Sequence, residues 1–175
     1  MTWFRRASPA TASWNLFKTL LQVVFFWGMF LFVLPPMIIA AAETFGLRSH
    51  PSETARVVGA GIFVLASALG LASAAAIATQ GAGTPLPIDA PRRLVVIGPY
   101  AWVRNPMAVA GIAQGFGVAL WHGSWVVACY VIAGGLLWHN LVRPVEEVDL
   151  ERTFGADFVR YRDGVSLWWP RKRRS

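Results

Sequence analysis

Charge is what this sequence has least of. Only 14% of its 175 residues are Asp, Glu, Lys or Arg, where a soluble domain carries about 25%. The deficit is concentrated: residues 19–42, 57–88 and 105–142 contain no charge at all. Cysteine is nearly absent too. Cys129 is alone, which excludes an internal disulfide and a zinc site built on several cysteines. It lies inside an apolar run with no cation nearby in sequence, so it reads as a small buried apolar side chain and not as a reactive thiol. No metal-ligating cluster, internal repeat or low-complexity tract is visible. Acidic residues are scarce as well, 9 against 16 basic ones, for a net charge of +7.

What is there in quantity is hydrocarbon. A membrane-spanning helix needs about 20 mostly apolar residues. Each uncharged block is long enough, and the third can cross twice if His122-Gly123-Ser124 supplies a turn. The expected fold class is therefore all-α: a polytopic membrane protein of about four transmembrane helices, with a C-terminal helical hairpin and a short amphipathic segment beyond it. The chain divides as a single membrane domain: two helices within 1–79, a loop at 80–105, the hairpin at 106–143 and a tail at 144–175.

The cations flank the blocks. Arg5, Arg6 and Lys18 precede the first, Arg92, Arg93 and Arg104 lie between the second and third, and Arg171 to Arg174 follow the last. The loop after the first block balances Arg48 and Arg56 against Glu43 and Glu53. By the positive-inside rule the N-terminus, middle loop and C-terminal tail are cytoplasmic. Cations so placed meet anionic headgroups, which argues for the lipid bilayer as partner and against nucleic acid. The first block resembles a secretory leader ending at Ala40-Ala41-Ala42, but it exceeds the roughly 7–15 apolar residues of one, so it is expected to be retained.

Helix boundaries follow from local chemistry. The first helix is expected over Leu16–Ala42, kinked or split near Pro35-Pro36. The second runs from about Arg56 to Thr79 and carries a surface of small residues (Gly59, Gly61, Ala66, Gly70, Ser73) that permits close helix packing and admits a homodimer. The stretch from Gly81 to Arg93 holds Pro85, Pro87 and Pro91 and is not helical, and Leu94 to Ile97 is either extended or interfacial. Pro106 suits a helix first turn, with Asn105 as its N-cap. A fourth helix is expected over Ser124–Arg143, continuing amphipathically past Pro144 to a stop at Gly155. Trp3, Trp14, Trp168 and Trp169 read as interface anchors, the last two beside the basic tail.

Chemistry-bearing residues collect in two places, Gly98 to Met107 and His139 to Tyr161. Arg143, Glu146 and Glu147 lie one helical turn apart, so the arginine can meet a carboxylate, and His139, Arg143, Glu146 and Leu150 fall on one face. Two readings of Glu146 and Glu147 stand side by side: members of a site, or acids stabilising a helix N-terminus through its dipole. Arg143 reads equally as a snorkelling cation, and His122 and His139 as interfacial side chains. The Gly81-Ala82-Gly83 run lacks the strand and helix of a nucleotide fingerprint.

Taken together, GPYAWVRNPMAVA (Gly98 to Ala110) and EEVDLERTFGADFVRY (Glu146 to Tyr161) resemble the membrane methyltransferase superfamily of isoprenylcysteine carboxyl methyltransferases and phospholipid N-methyltransferases. The family pattern is roughly GPYxxxRHPxYxG, a helical hairpin, then EExxLxxxFGxxYxxY. The resemblance covers about the C-terminal half of the chain, from Gly81 onward, and is similar to the bacterial branch, which implies a bacterial inner membrane. Here the family histidine is Asn105, the tyrosine Ala108, the next glycine Ala110, and Phe158 replaces the first late tyrosine. The resemblance implies methyl transfer from S-adenosyl-L-methionine to a lipophilic or small acceptor, a carboxylate, thiol or amine. It implies cofactor contacts from Arg92, Arg93, Leu94 and Val95, from Tyr100, from Asn105, Pro106, Met107 and Ala108, and from Glu147, whose carboxylate suits the cofactor's ammonium. Tyr100 and Trp102 offer aromatic surface. Arg143 would face the acceptor, and Glu146 would take the proton of an amine. Membrane sterol reductases, which use a reduced nicotinamide, share a similar C-terminal pattern, and a non-catalytic protein keeping the fold is a third reading.

Overall fold

The computed structural model describes residues 4–170; the expected anchor Trp3 and the basic run Arg171 to Arg174 lie outside the described residues. Among these the chain is helical with no named strand. Helix α1 (Ala12–Trp27) passes through a π-helical turn (Gly28–Val33) into α2 (Leu34–Thr44). Then come α3 (Glu53–Gln80), α4 (Pro106–His122) and α5 (Trp125–Leu137), which continues through a second π turn (Trp138–Val142) into α6 (Arg143–Phe154). Helix α7 (Ala156–Gly164) follows.

Three helices are long and apolar enough to cross a membrane: Ala12–Thr44, Glu53–Gln80 and Trp125–Phe154. The fourth expected span, α4, has 17 residues, about 25 Å of helix, and is the shortest of the set. It is also the most enclosed, with Gln114, Gly115, Gly117, Val118 and Ala119 buried.

The proline pair does not end the first helix. The π turn ahead of it lets Leu34 N–H reach the carbonyl of Met29, five residues back. In that register the carbonyl of Phe30 faces Pro35, which has no N–H to give. The Tyr130 hydroxyl on α5 donates to it at 3.2 Å. The same device recurs at the second π turn. Arg143 N–H reaches Trp138 O, Pro144 leaves the His139 carbonyl unpaired in the backbone, and Arg143 Nε donates to that carbonyl at 3.2 Å.

Small residues on α3 pack α4 inside the chain. A Cβ on Gly59 would lie 2.6 Å from the carbonyl oxygen of Gly117, and one on Gly117 would lie 2.8 Å from that of Gly59. The two backbones touch, so Gly59 of the surface expected to admit a second copy is used internally, while Gly61 on the same helix borders open space. Helix ends match their signals. Asn105 Oδ1 accepts from Ala108 N at 3.0 Å, Ser124 Oγ accepts from Val127 N, and Gly123 (φ +59) caps α4.

Loops gather by side. The outer loop and the hairpin turn meet where His50 N–H donates to Gly123 O at 3.0 Å. At the opposite end Arg5 N–H donates to Pro87 O and Ala90 N–H to Arg5 O. There too, Arg104 N–H donates to Ser166 O at 2.9 Å. The N-terminal segment, the middle loop and the C-terminal segment thus share one end of the bundle.

Candidate active site

That shared end encloses a cavity of about 490 Å³, within the size range of small-molecule sites. Its floor is the middle loop, folded back on α3 by Arg92 and Arg93 N–H groups that both donate to Gly81 O. Its sides are Phe26 and Phe30 of the first span, the start of α4, and one face of the second π turn and α6. That face is Trp138, Val142, Glu146, Asp149 and Leu150, a run at helical spacing.

Most of the residues singled out from the sequence meet here. Arg93, Leu94, Val95, Tyr100, Asn105, Met107, Ala108 and Glu146 line the cavity. Asn105 does two jobs from one side chain: Oδ1 caps α4, and Nδ2 donates to Glu146 Oε2 at 3.4 Å, a long bond. This contact joins the two sequence clusters.

Four expected residues sit elsewhere. Pro106 is buried under the cavity as the first residue of α4, and Arg92 is exposed beside it. Glu147 points away, between two cations: Arg104 Nη1 lies 2.9 Å from Oε1 and Arg143 Nη1 3.3 Å from Oε2. Arg143 is therefore committed twice, to Glu147 and to the His139 carbonyl. The expected common face of His139, Arg143, Glu146 and Leu150 is broken because the π turn widens the helix between His139 and Arg143. Trp102 is a correction of another kind. It is 67% exposed and turns away from Tyr100, which is buried.

One residue that the sequence offered only as an anchor is central. Arg104 lines the cavity, and its Nε is buried with no hydrogen-bond partner among the described residues. A buried guanidinium N–H without an acceptor is costly. The signal was present in the motif, one residue before Asn105.

Arg6 was likewise missed. It lines the cavity, pairs with Asp149, and donates to Thr153 and to Pro91 O at 3.0 Å. Tyr161 on α7 donates its hydroxyl to Tyr100 O at 2.7 Å. Burial raises the Tyr100 phenol well above its ordinary value, with Glu146 and Tyr161 adding to it. Burial also raises Tyr161, against a smaller opposing effect of Arg104. Both phenols stay protonated, and Tyr161 is the donor in the bond to Tyr100 O. Among the described residues, no group of three or more His, Cys, Asp or Glu side chains could hold a metal ion.

A second cavity of about 340 Å³ adjoins the first. Phe26, Phe30, Ala108 and Trp138 line both. It runs between the first helix, α4 and α5, in the apolar part of the bundle.

Comparison with known proteins gives one result. The model of the phospholipid methyltransferase family matches residues 54–157, more than half of the chain and every wall of the first cavity except the first helix, its N-terminal lead and Tyr161. No curated protein matches.

Proposed function

The chain belongs to the phospholipid methyltransferase family, and we propose that it moves a methyl group from S-adenosylmethionine to a lipophilic acceptor at the cytoplasmic face of a membrane. The observation that carries this reading is the pair of opposite charges on one small cavity: the Glu146 carboxyl and the Arg104 guanidinium with its unpartnered Nε. S-adenosylmethionine has an amino acid head, and such a pair fits it. Glu146 would hold the ammonium, and Arg104 the carboxylate by a charge-assisted hydrogen bond. Tyr100 would give aromatic surface to the sulfonium or the adenine, with Leu94, Val95, Met107 and Ala108 along the apolar remainder. When bound, the cofactor supplies an electrophilic methyl group on a cationic sulfur.

The chain's own residues do the rest by positioning. Glu147 holds Arg104 and Arg143 together, so it fixes Arg104 against the cavity and does not itself meet the ammonium. Arg143 is a positioning residue in this arrangement and not an acceptor contact. A carboxylate or thiolate acceptor needs no base. An amine acceptor must lose a proton, and Glu146 Oε2, on the cavity beside Asn105 Nδ2, would receive it. Apolar walls exclude water around the reacting atoms. The cations at this end support a cytoplasmic position for it by the positive-inside rule; there the cofactor would come from water and the acceptor from lipid. The similarity of the middle loop to the bacterial branch supports a bacterial inner membrane as the location.

Calorimetry on the protein in lipid nanodiscs tests this. S-adenosylhomocysteine is expected to bind, and Glu146→Gln and Arg104→Gln are each expected to weaken it at least tenfold. Glu43→Gln, at the far end of the bundle, leaves it unchanged. Equal affinity in all four proteins overturns the site. Binding of reduced nicotinamide in place of S-adenosylhomocysteine overturns the donor.

A further inference from the structure

The second cavity has features that bulk lipid does not require. Gln114 lines it, is fully buried, and is placed deep in an apolar bundle. Its Nε2 donates to Ser67 Oγ on α3 at 2.9 Å. Its Oε1 has no partner among the described residues. An amide oxygen left this way forfeits its hydrogen bond in the medium where that loss is largest. The walls around it are kept open by glycines. A Cβ on Gly111 or on Gly134 would meet nothing within 4 Å, so these two positions border free space.

The joint between the two cavities is made by a departure from the family pattern. Where that pattern has a tyrosine, this chain has Ala108, which lines both cavities. A ring at this position would stand where the two linings meet, and alanine leaves that place without one.

We infer that the second cavity receives the hydrocarbon chain of the methyl acceptor, and that Gln114 selects a chain carrying a hydrogen-bond donor, a hydroxyl or amide N–H, partway along its length. The occupant is a lipid because the lining is almost wholly apolar and is built from the first helix, α4 and α5, in the apolar part of the bundle. The donor on the chain follows from the free Gln114 Oε1. Its position follows from the helix. Gln114 lies nine positions after Asn105, about 13 Å along α4, which is on the order of ten bonds of an extended hydrocarbon, each about 1.5 Å long and advancing about 1.25 Å along the chain. The inference rests on the acceptor proposed above but not on the identity of the donor.

Two probes test it: octadecylamine and its 10-hydroxy analogue. Each competes with a diazirine-bearing octadecylamine for the protein in phosphatidylglycerol nanodiscs, and the labelled peptide is located by mass spectrometry. The hydroxylated amine is expected to compete at least tenfold better, with labelling on α4 between Gly111 and Gly115 or on α5 near Gly134. Gln114→Leu removes the preference while both amines still compete. Gly111→Leu, whose side chain fills the space, removes labelling there for the parent probe. Equal competition by the two amines overturns the selection by Gln114. Labelling confined to the lipid-facing helix surfaces shows an ordinary bilayer contact and overturns the cavity as a chain site. S-adenosylhomocysteine is titrated separately into the same samples. Its failure to bind would strike the donor reading alone, because the amine competition is read without it.

Discussion

One residue of offset decides what each carboxylate of the Glu146-Glu147 pair does. Successive helical positions are separated by about 100° around the axis, so Glu146 opens on the cavity while Glu147 turns to Arg104 and Arg143. The sequence showed the pair but not which member faces inward, since that depends on the π turn four positions earlier. Asn105 was legible, because a cap before Pro-rich helix starts is a local signal. Arg104 was not, because its unpartnered Nε is a property of burial. Removing the cap by Asn105→Ala is expected to cost about 1 kcal/mol and to free the Glu146 carboxyl, measured as a lower unfolding midpoint together with weaker S-adenosylhomocysteine binding. The phenols give a pH test. Tyr100 and Tyr161 ionise in the unfolded chain near pH 10 but only higher in the folded one. Above pH 10 the native state therefore binds more protons than the unfolded state, and stability falls as pH rises. Stability measured against pH should be flat just below 10 and decline above it, with a shallower decline in Tyr161→Phe.

Helices here meet through what they lack. The α3–α4 contact exists because neither Gly59 nor Gly117 has a Cβ. Gly59→Leu is expected to destabilise the bundle by about 1–3 kcal/mol or more, read in detergent denaturation. Gly61→Leu, where a Cβ would meet nothing within 4 Å, should not. The small-residue face was plain in the sequence, but its partner was not: small residues announce a close approach without naming the helix that makes it. The proline pair is a similar case. Pro35-Pro36 signalled a fault in the helix, yet the π turn that absorbs it depends on Tyr130, a hundred residues away in the chain. Tyr130→Phe should cost roughly 0.6 kcal/mol, the usual size of a hydrogen bond inside a membrane bundle.

At the level of the whole molecule, hydropathy and charge carried nearly all of the topology. Three uncharged blocks gave the spans, and the cations flanking them marked the end where the loops gather. What stayed hidden is whatever depends on pairing across the chain: α7, the Arg5–Pro87 and Ala7–Ala90 hydrogen bonds, and the place of Arg6. The sidedness can be read directly. In a Cys129→Ala background, Ser8→Cys should react with a membrane-impermeant maleimide only in inverted vesicles, and Arg48→Cys only in intact cells. The opposite pattern would put the cavity on the outer face.

Arg6 carries a consequence for how the protein is made. It is synthesised 143 residues ahead of Asp149, the acid it pairs with. Until α6 leaves the ribosome, that cation has the Pro91 carbonyl, water and lipid headgroups, but not the acid it pairs with. The spans can insert one by one, but the chamber at their end closes only when late-made segments return to the earliest one. A chain halted before α6 would be threaded through the bilayer and still have no place for its small molecule.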